Sequence, residues 1–259
     1  MSLRKLFDLE ARQALSELPQ DEVAQEEASA SLPEPVKAYL NHCGYTGKPS
    51  VTNFYILYEH AQIKLQPEGK WMALDCVQFN CVAPATRLAL MQAKLFGLVP
   101  FGARDKYQHG LGNMLIKLAG IPVSNARGDK MNQAALVTFL AEAPLLPSVF
   151  QLQHTHLQEV APDRVRASIT DAGMTVHGEF RFNSRHEITS FRTHDRYYSK
   201  DGKEYHNWEW SALLDRYREL NGYVIPTVTR AVWHMPDGRD YEYFRASIKE
   251  IRHNITRMP

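Results

Sequence analysis

Four charged residues in this 259-residue chain have the types and settings that polar chemistry requires: Arg104, Asp105, Glu142 and Arg196. A carboxylate held by burial, next to an arginine, can serve as general base and oxyanion partner. The same residue types serve equally as an interior ion-pair cluster that ties a helix to a sheet. Glu142 follows Phe139 by about one helical turn, near an apolar stripe, and so needs a cationic partner. Arginine is suited to that task because its forked donors satisfy both carboxylate oxygens. Tyr107, Trp210 and Trp233 add large aromatic surfaces, which either line a cavity for an apolar ligand or fill a core. These seven residues are the candidate ligand-binding set, and no residue is assigned a catalytic role.

Other constellations fall short of a complete motif. His154-Thr155-His156 places two imidazoles on one face of a strand, but Glu159 would point to the other face. No metal and no cofactor is expected. Gly110-x-Gly112 lacks the third glycine of a dinucleotide fingerprint and sits in a strand pattern, so close backbone packing is its reading. No Gly-x-Ser-x-Gly elbow or phosphate loop is present. Basic and aromatic residues interleave at 181–198, but His194, Asp195 and a formal net charge of only +1 argue against a nucleic-acid partner. Cys76 and Cys81, if in one strand, lie ~16 Å apart at ~3.3 Å per residue, too far for a disulfide.

The elements that must position these residues follow from hydrophobic period. Residues 1–31 carry seven acids against three bases, and read as a helix over Leu3–Leu18, ended by Pro19, then an acidic connector. Residues 32–259 read as one domain. Its first helix, within residues 32–44, has Pro35 at its start, Gly44 at its stop, and Val36, Tyr39, Leu40 and Cys43 on one face. From Val51 onward the period is two, which predicts strands at about 51–65, 71–83, 87–98 and 104–118. A clear helix runs from Lys130 to Ala143. Strands resume near 151–159, 164–170, 174–183 and 187–197. A helical or irregular stretch is expected at 208–219, then strands at about 223–234 and 240–251. Turns spaced about ten residues apart suit an antiparallel meander, and the α–β alternation of a parallel sheet is missing. The fold class is α+β, with a large, curved antiparallel sheet forming a half-open barrel and a few packed helices.

From Leu32 onward a series of ordered landmarks stands out. They are Leu32-Pro33-x-Pro35-Val36 with Tyr39-Leu40, then Trp71 with Gln78-Phe79, and Arg104-Asp105-x-Tyr107 with Gly110-x-Gly112-x-Met114. Leu140-Ala141-Glu142, Asp195-Arg196-Tyr197, Ile225-Pro226 and Trp233 complete the series. In order and spacing they resemble an uncharacterised bacterial family, a domain of unknown function. That resemblance implies a shared bacterial fold and no established activity. Where the family has an aromatic Phe-x-Trp strand, this chain has Leu88-Ala89-Leu90. The expected layout, a helix packed into a curved sheet, is similar to half-barrels of the bacterial lipoprotein-carrier type.

The leading expectation is therefore binding of a hydrophobic or amphipathic small molecule, a lipid included, between sheet and helix. One alternative is an enzyme acting on such a molecule through Arg104, Asp105, Glu142 or Arg196. Another is a structural or partner-binding domain. Hydrophobic residues make up 44% and charged residues 23%, and no run is long enough for a membrane helix. As written, the chain is expected to be soluble and cytoplasmic.

Overall fold

The computed structural model describes residues 1–18, 31–95, 97–200 and 204–259. The acidic connector expected from Asp21 lies, apart from Ser31, outside these residues. Among these residues there are three α-helices: α1 (Leu3–Ser16), α2 (Glu34–His42) and α3 (Asp129–Ala141). Thirteen strands form one sheet: β1 (Asn53–Ile63), β2 (Met72–Cys81), β3 (Thr86–Leu95), β4 (Val99–Gln108), β5 (Leu111–Leu118), β6 (Ile121–Ala126), β7 (Thr155–Ala161), β8 (Arg164–Asp171), β9 (Met174–Phe182), β10 (Ile188–Thr193), β11 (Glu209–Leu220), β12 (Tyr223–His234) and β13 (Asp240–His253).

Every pairing is antiparallel, in the order β6-β5-β4-β3-β2-β1-β13-β12-β11-β10-β9-β8-β7. Neighbours in the sheet are thus neighbours in sequence everywhere except at the central β1–β13 seam. Helix α3 carries the chain from the β6 edge to the β7 edge. It packs on β3, β4 and β5 and also on β8 and β9. In a flat sheet β4 and β9 would lie ~38 Å apart at ~4.8 Å per strand, whereas a helix is only about 10–12 Å wide. The sheet must therefore curl around α3. Register shifts in β1, where His60 takes a positive φ of 53°, contribute to that bend. The two wings also approach each other at their turns. A Cβ placed on Gly110 would come within 2.3 Å of the Ala172 Cβ, and the Tyr107 hydroxyl of β4 donates to Asp171 at the end of β8. The result is a large open antiparallel sheet, curled but not closed into a barrel.

Two stretches differ from expectation. Residues 104–118 are a hairpin rather than one strand, because His109 and Gly110 both adopt left-handed φ (52° and 75°) and form a tight turn. Residues 209–220 are strand β11, not a helix. Trp210, Ala212 and Leu214 turn inward in alternation, and pairing with β10 on one side and β12 on the other overrides the helical propensity of Leu-Leu-Asp-Arg.

The main core lies between α3 and the concave face, where Leu136, Val137, Phe139 and Leu140 meet residues such as Phe54, Ile56, Phe180 and Phe191. A second, smaller cluster covers the convex face. Leu3, Phe7, Ala11 and Ala14 of α1 pack there on Tyr55, Phe79, Cys81, Leu88 and Leu90. Helix α1 is thus part of the folded body rather than a detached tail. Its four-and-three spacing of apolar residues makes a buried stripe, and Glu10 is buried beside that stripe.

Gly112 sets the depth at which α3 rests. A Cβ there would lie 2.3 Å from the Met131 carbonyl oxygen and 2.7 Å from its carbon, both backbone atoms. The Gly112 N–H also donates to the Asn132 side chain at 2.8 Å. Gly112→Ala is expected to push α3 outward and cost about 1–3 kcal/mol. Urea denaturation checks this, and an unchanged midpoint would show that the helix adjusts freely.

Candidate functional site

Strand parity brings one set of polar side chains under the C-terminal end of α3. Asn80, Arg87 and Tyr107 are in register across β2, β3 and β4, and Gln78, Ala89 and Asp105 form the adjacent row. All six therefore face the concave side. Glu142 caps the end of α3 and lowers its carboxylate onto them. Arg87 Nε donates to Glu142 Oε1 at 2.9 Å, Gln78 Nε2 to Oε2 at 2.7 Å, and Asn80 Nδ2 to Oε2 at 2.8 Å. Arg87 Nη1 donates to Asp105 Oδ2 at 2.7 Å. The Tyr58 hydroxyl donates to Gln78 Oε1 at 3.0 Å. The knot holds two carboxylates against one guanidinium and is tied to four strands.

Electrostatics in the knot favour the ionised arginine. Burial opposes the charge on Arg87, but Glu142 and Asp105 outweigh it and raise the pKa well above its ordinary value. Burial, then the charge of Glu142, pushes Tyr58 far above its ordinary range. Burial also raises the thiol of Cys76 beside the knot to about 12, so it is not a thiolate nucleophile.

Next to the knot is a cavity of about 140 Å³. Its wall is mostly apolar, including Ile63, Ala89, Met91, Leu145, Ala212 and Phe244. Asp105, Glu142, Arg196 and Trp210 of the candidate set line it, together with Arg87, Gln78 and Tyr58. Arg196 lies over the Trp210 ring, with its guanidinium carbon 4.5 Å from the ring centroid, and stands 5.8 Å from the Trp233 centroid. The Trp210 N–H donates to the Tyr243 hydroxyl at 3.1 Å.

The other three candidates lie elsewhere. Arg104 is the neighbour of Asp105 in β4, so its side chain points to the convex face. There it lies 3.5 Å from Glu10 of α1 and donates to Asn113. Burial lowers its pKa against the pull of Glu10. Tyr107 is on the concave side but buried under α3 against Phe139, with ring centroids 6.4 Å apart. Trp233 is buried below Arg196, paired with Trp210, and does not reach the cavity. A single cluster of Arg104, Asp105, Glu142 and Arg196 is therefore corrected: the partner of Glu142 and Asp105 is Arg87. That residue was legible in principle, because it shares the parity of Ala89 and Met91. Gln78 stood among the landmarks without being given a role.

Two further arrangements have catalytic appearance. On the convex face the Ser211 hydroxyl lies 2.8 Å from His234 Nε2, and His234 Nδ1 lies 2.7 Å from Asp240 Oδ1. Ser211 is fully buried, however, and its strand is paired on both sides, which leaves no backbone N–H pair to stabilise an oxyanion. The three residues work as a cross-strand tie. His154 and His156 are exposed, and among the described residues no group of three or more His, Cys, Asp or Glu could hold a metal ion. Nor is any helix among them long and apolar enough to cross a membrane.

Comparison with known proteins places this geometry in a family. The chain belongs to DUF6544, a family of unknown function, whose model matches residues 22–246. No curated protein matches it. Among solved structures it is similar to the LolA superfamily protein NE2245 from Nitrosomonas europaea, at 9% identity and a TM-score of 0.46, covering 86% of this chain and 94% of that one. It is also similar to a beta-barrel-like protein of domain of unknown function DUF1849 from Brucella abortus, at 7% identity and a TM-score of 0.27, covering 80% and 99%.

Proposed function

We propose that this member of a family of unknown function binds a hydrophobic or amphipathic small molecule in the cavity between α3 and the curved sheet. The observation that carries the reading is the cavity: apolar space at the heart of the curl, next to a polar knot that is already bonded within itself. Its volume of about 140 Å³ is close to that of an engineered apolar cavity that accepts benzene. A ring or a short alkyl segment fits inside. The enzyme alternative is weaker, because Glu142 already accepts from three side chains and Asp105 is bonded to Arg87, which suits a wall better than a proton acceptor.

The test is calorimetric titration with 1-octanol, a neutral alkyl probe. Saturable 1:1 binding is expected. Ala89→Leu, which projects into the cavity from β3, should weaken it at least tenfold while the protein still melts cooperatively. Failure of the unaltered protein to bind 1-octanol saturably contradicts the reading.

A further inference from the structure

We propose that the ligand of this cavity carries an anionic head group, of the carboxylate or phosphate class, which docks on Arg196. The proposal rests on the cavity-binding reading and specifies the ligand's chemistry. Arg196 makes neither an ion pair nor a hydrogen bond among the described residues, and its Nη1 is buried with no partner. A shielded guanidinium without a counter-charge is costly, and tryptophan rings offset only part of that cost. The stacking on Trp210 occupies the face of the guanidinium and leaves its N–H edge available, which is the edge that recognises carboxylates and phosphates.

No acid that the structure describes beside it is in position to satisfy it. Asp195, its sequence neighbour, is turned away and bonds to the backbone N–H and Nδ1 of His177 at 2.7 and 2.9 Å. Asp105 and Glu142 are committed to Arg87. Arg230, the other cation in the wall, has Glu242 at 3.6 Å. The charged side chains of the cavity wall are Arg87, Arg196 and Arg230 against Asp105 and Glu142. With Arg230 matched by Glu242 and Arg87 facing two carboxylates, the positive charge of the wall that has no counter-charge is Arg196. At the other end, Asp105 Oδ1 is buried without a donor. That end repels an anion, so the charge pattern favours one orientation, with the head group at Arg196.

Titrations of the full chain at neutral pH with octanoate, 1-octanol, octylammonium and octyl phosphate hold the tail constant and vary the head. Octanoate or octyl phosphate is expected to bind at least tenfold tighter than 1-octanol, equivalent to about 1.4 kcal/mol. Which of the two is tighter identifies the head-group class. Arg196→Gln should reduce the anion preference to within threefold while 1-octanol affinity stays unchanged, and Arg196→Lys should keep part of the preference. The ranking in the unaltered protein decides the matter even if a variant fails to fold. Equal binding of 1-octanol and the anions, or tightest binding of octylammonium, overturns the proposal and leaves the cavity reading standing. If none of the four binds saturably, the cavity reading itself fails.

Discussion

Glu142→Ala is expected to destabilise the protein by about 3 kcal/mol, a large part of the 5–15 kcal/mol typical of a whole domain. The substitution removes the acceptor of Arg87, Gln78 and Asn80 together, and the two amides are buried. Arg87 would keep only Asp105. Glu142→Gln should be milder, because it retains the shape and one acceptor oxygen but brings an amide N–H₂ toward existing donors. Arg87→Met should cost as much as Glu142→Ala, because it leaves two carboxylates facing each other. Urea midpoints with an unchanged slope measure all three. A loss under 1 kcal/mol for Glu142→Ala, combined with loss of 1-octanol binding, would instead make Glu142 a ligand contact.

Removal of residues 1–18 should damage folding rather than trim a tail. Without α1, the buried rings of Phe79 and neighbouring Tyr55, with Leu88 and Leu90, would be exposed together on the convex face. Arg104 and Lys106 would lose Glu10, which lies 3.5 and 2.9 Å from them. The single change Phe7→Ala should already cost about 3–5 kcal/mol, the range for truncating a buried phenylalanine. The expected result is a truncated protein that aggregates or melts without cooperativity, and a Phe7→Ala variant that melts cooperatively at a lower temperature. A truncated protein with the melting temperature of the full chain would show that the helix only rests on the sheet.

Much of this architecture is legible in alternation. The period-two runs from Val51 and from residue 151 do become one antiparallel sheet, and the helix opened by Gly128 packs into its curve as expected. Legibility fails where local and tertiary signals compete. Leu213-Leu214-Asp215-Arg216 favours a helix in isolation, yet flanking strands on both sides hold it extended. The candidate site is half visible. Glu142 needs a cation, and this follows from its place beside an apolar stripe. Grouping Arg104 with Asp105 and Glu142 neglects parity, because adjacent strand residues cannot both reach one face. Arg87 was obscured by a different circumstance: the other members of its knot come from three other strands and the end of a helix, and no spacing along the chain encodes their convergence. The burial of α1 was hidden by its acids, although Phe7, Ala11 and Ala14 already mark its inner face.

The seam between β1 and β13 has a kinetic consequence. Phe54 pairs with His253 there, whereas the other strand pairs join segments close in sequence. Each wing can therefore assemble from local hairpins, while the seam must close a loop of about 200 residues, an entropic cost that slows folding. The cavity draws Ala89 and Asp105 from one wing and Trp210 and Phe244 from the other, so it exists only after the wings have joined. A bound ligand then adds its free energy to the joined state alone and to neither separate wing. It acts as a clasp on the last step of assembly, slowing the parting of the wings without hastening the formation of either.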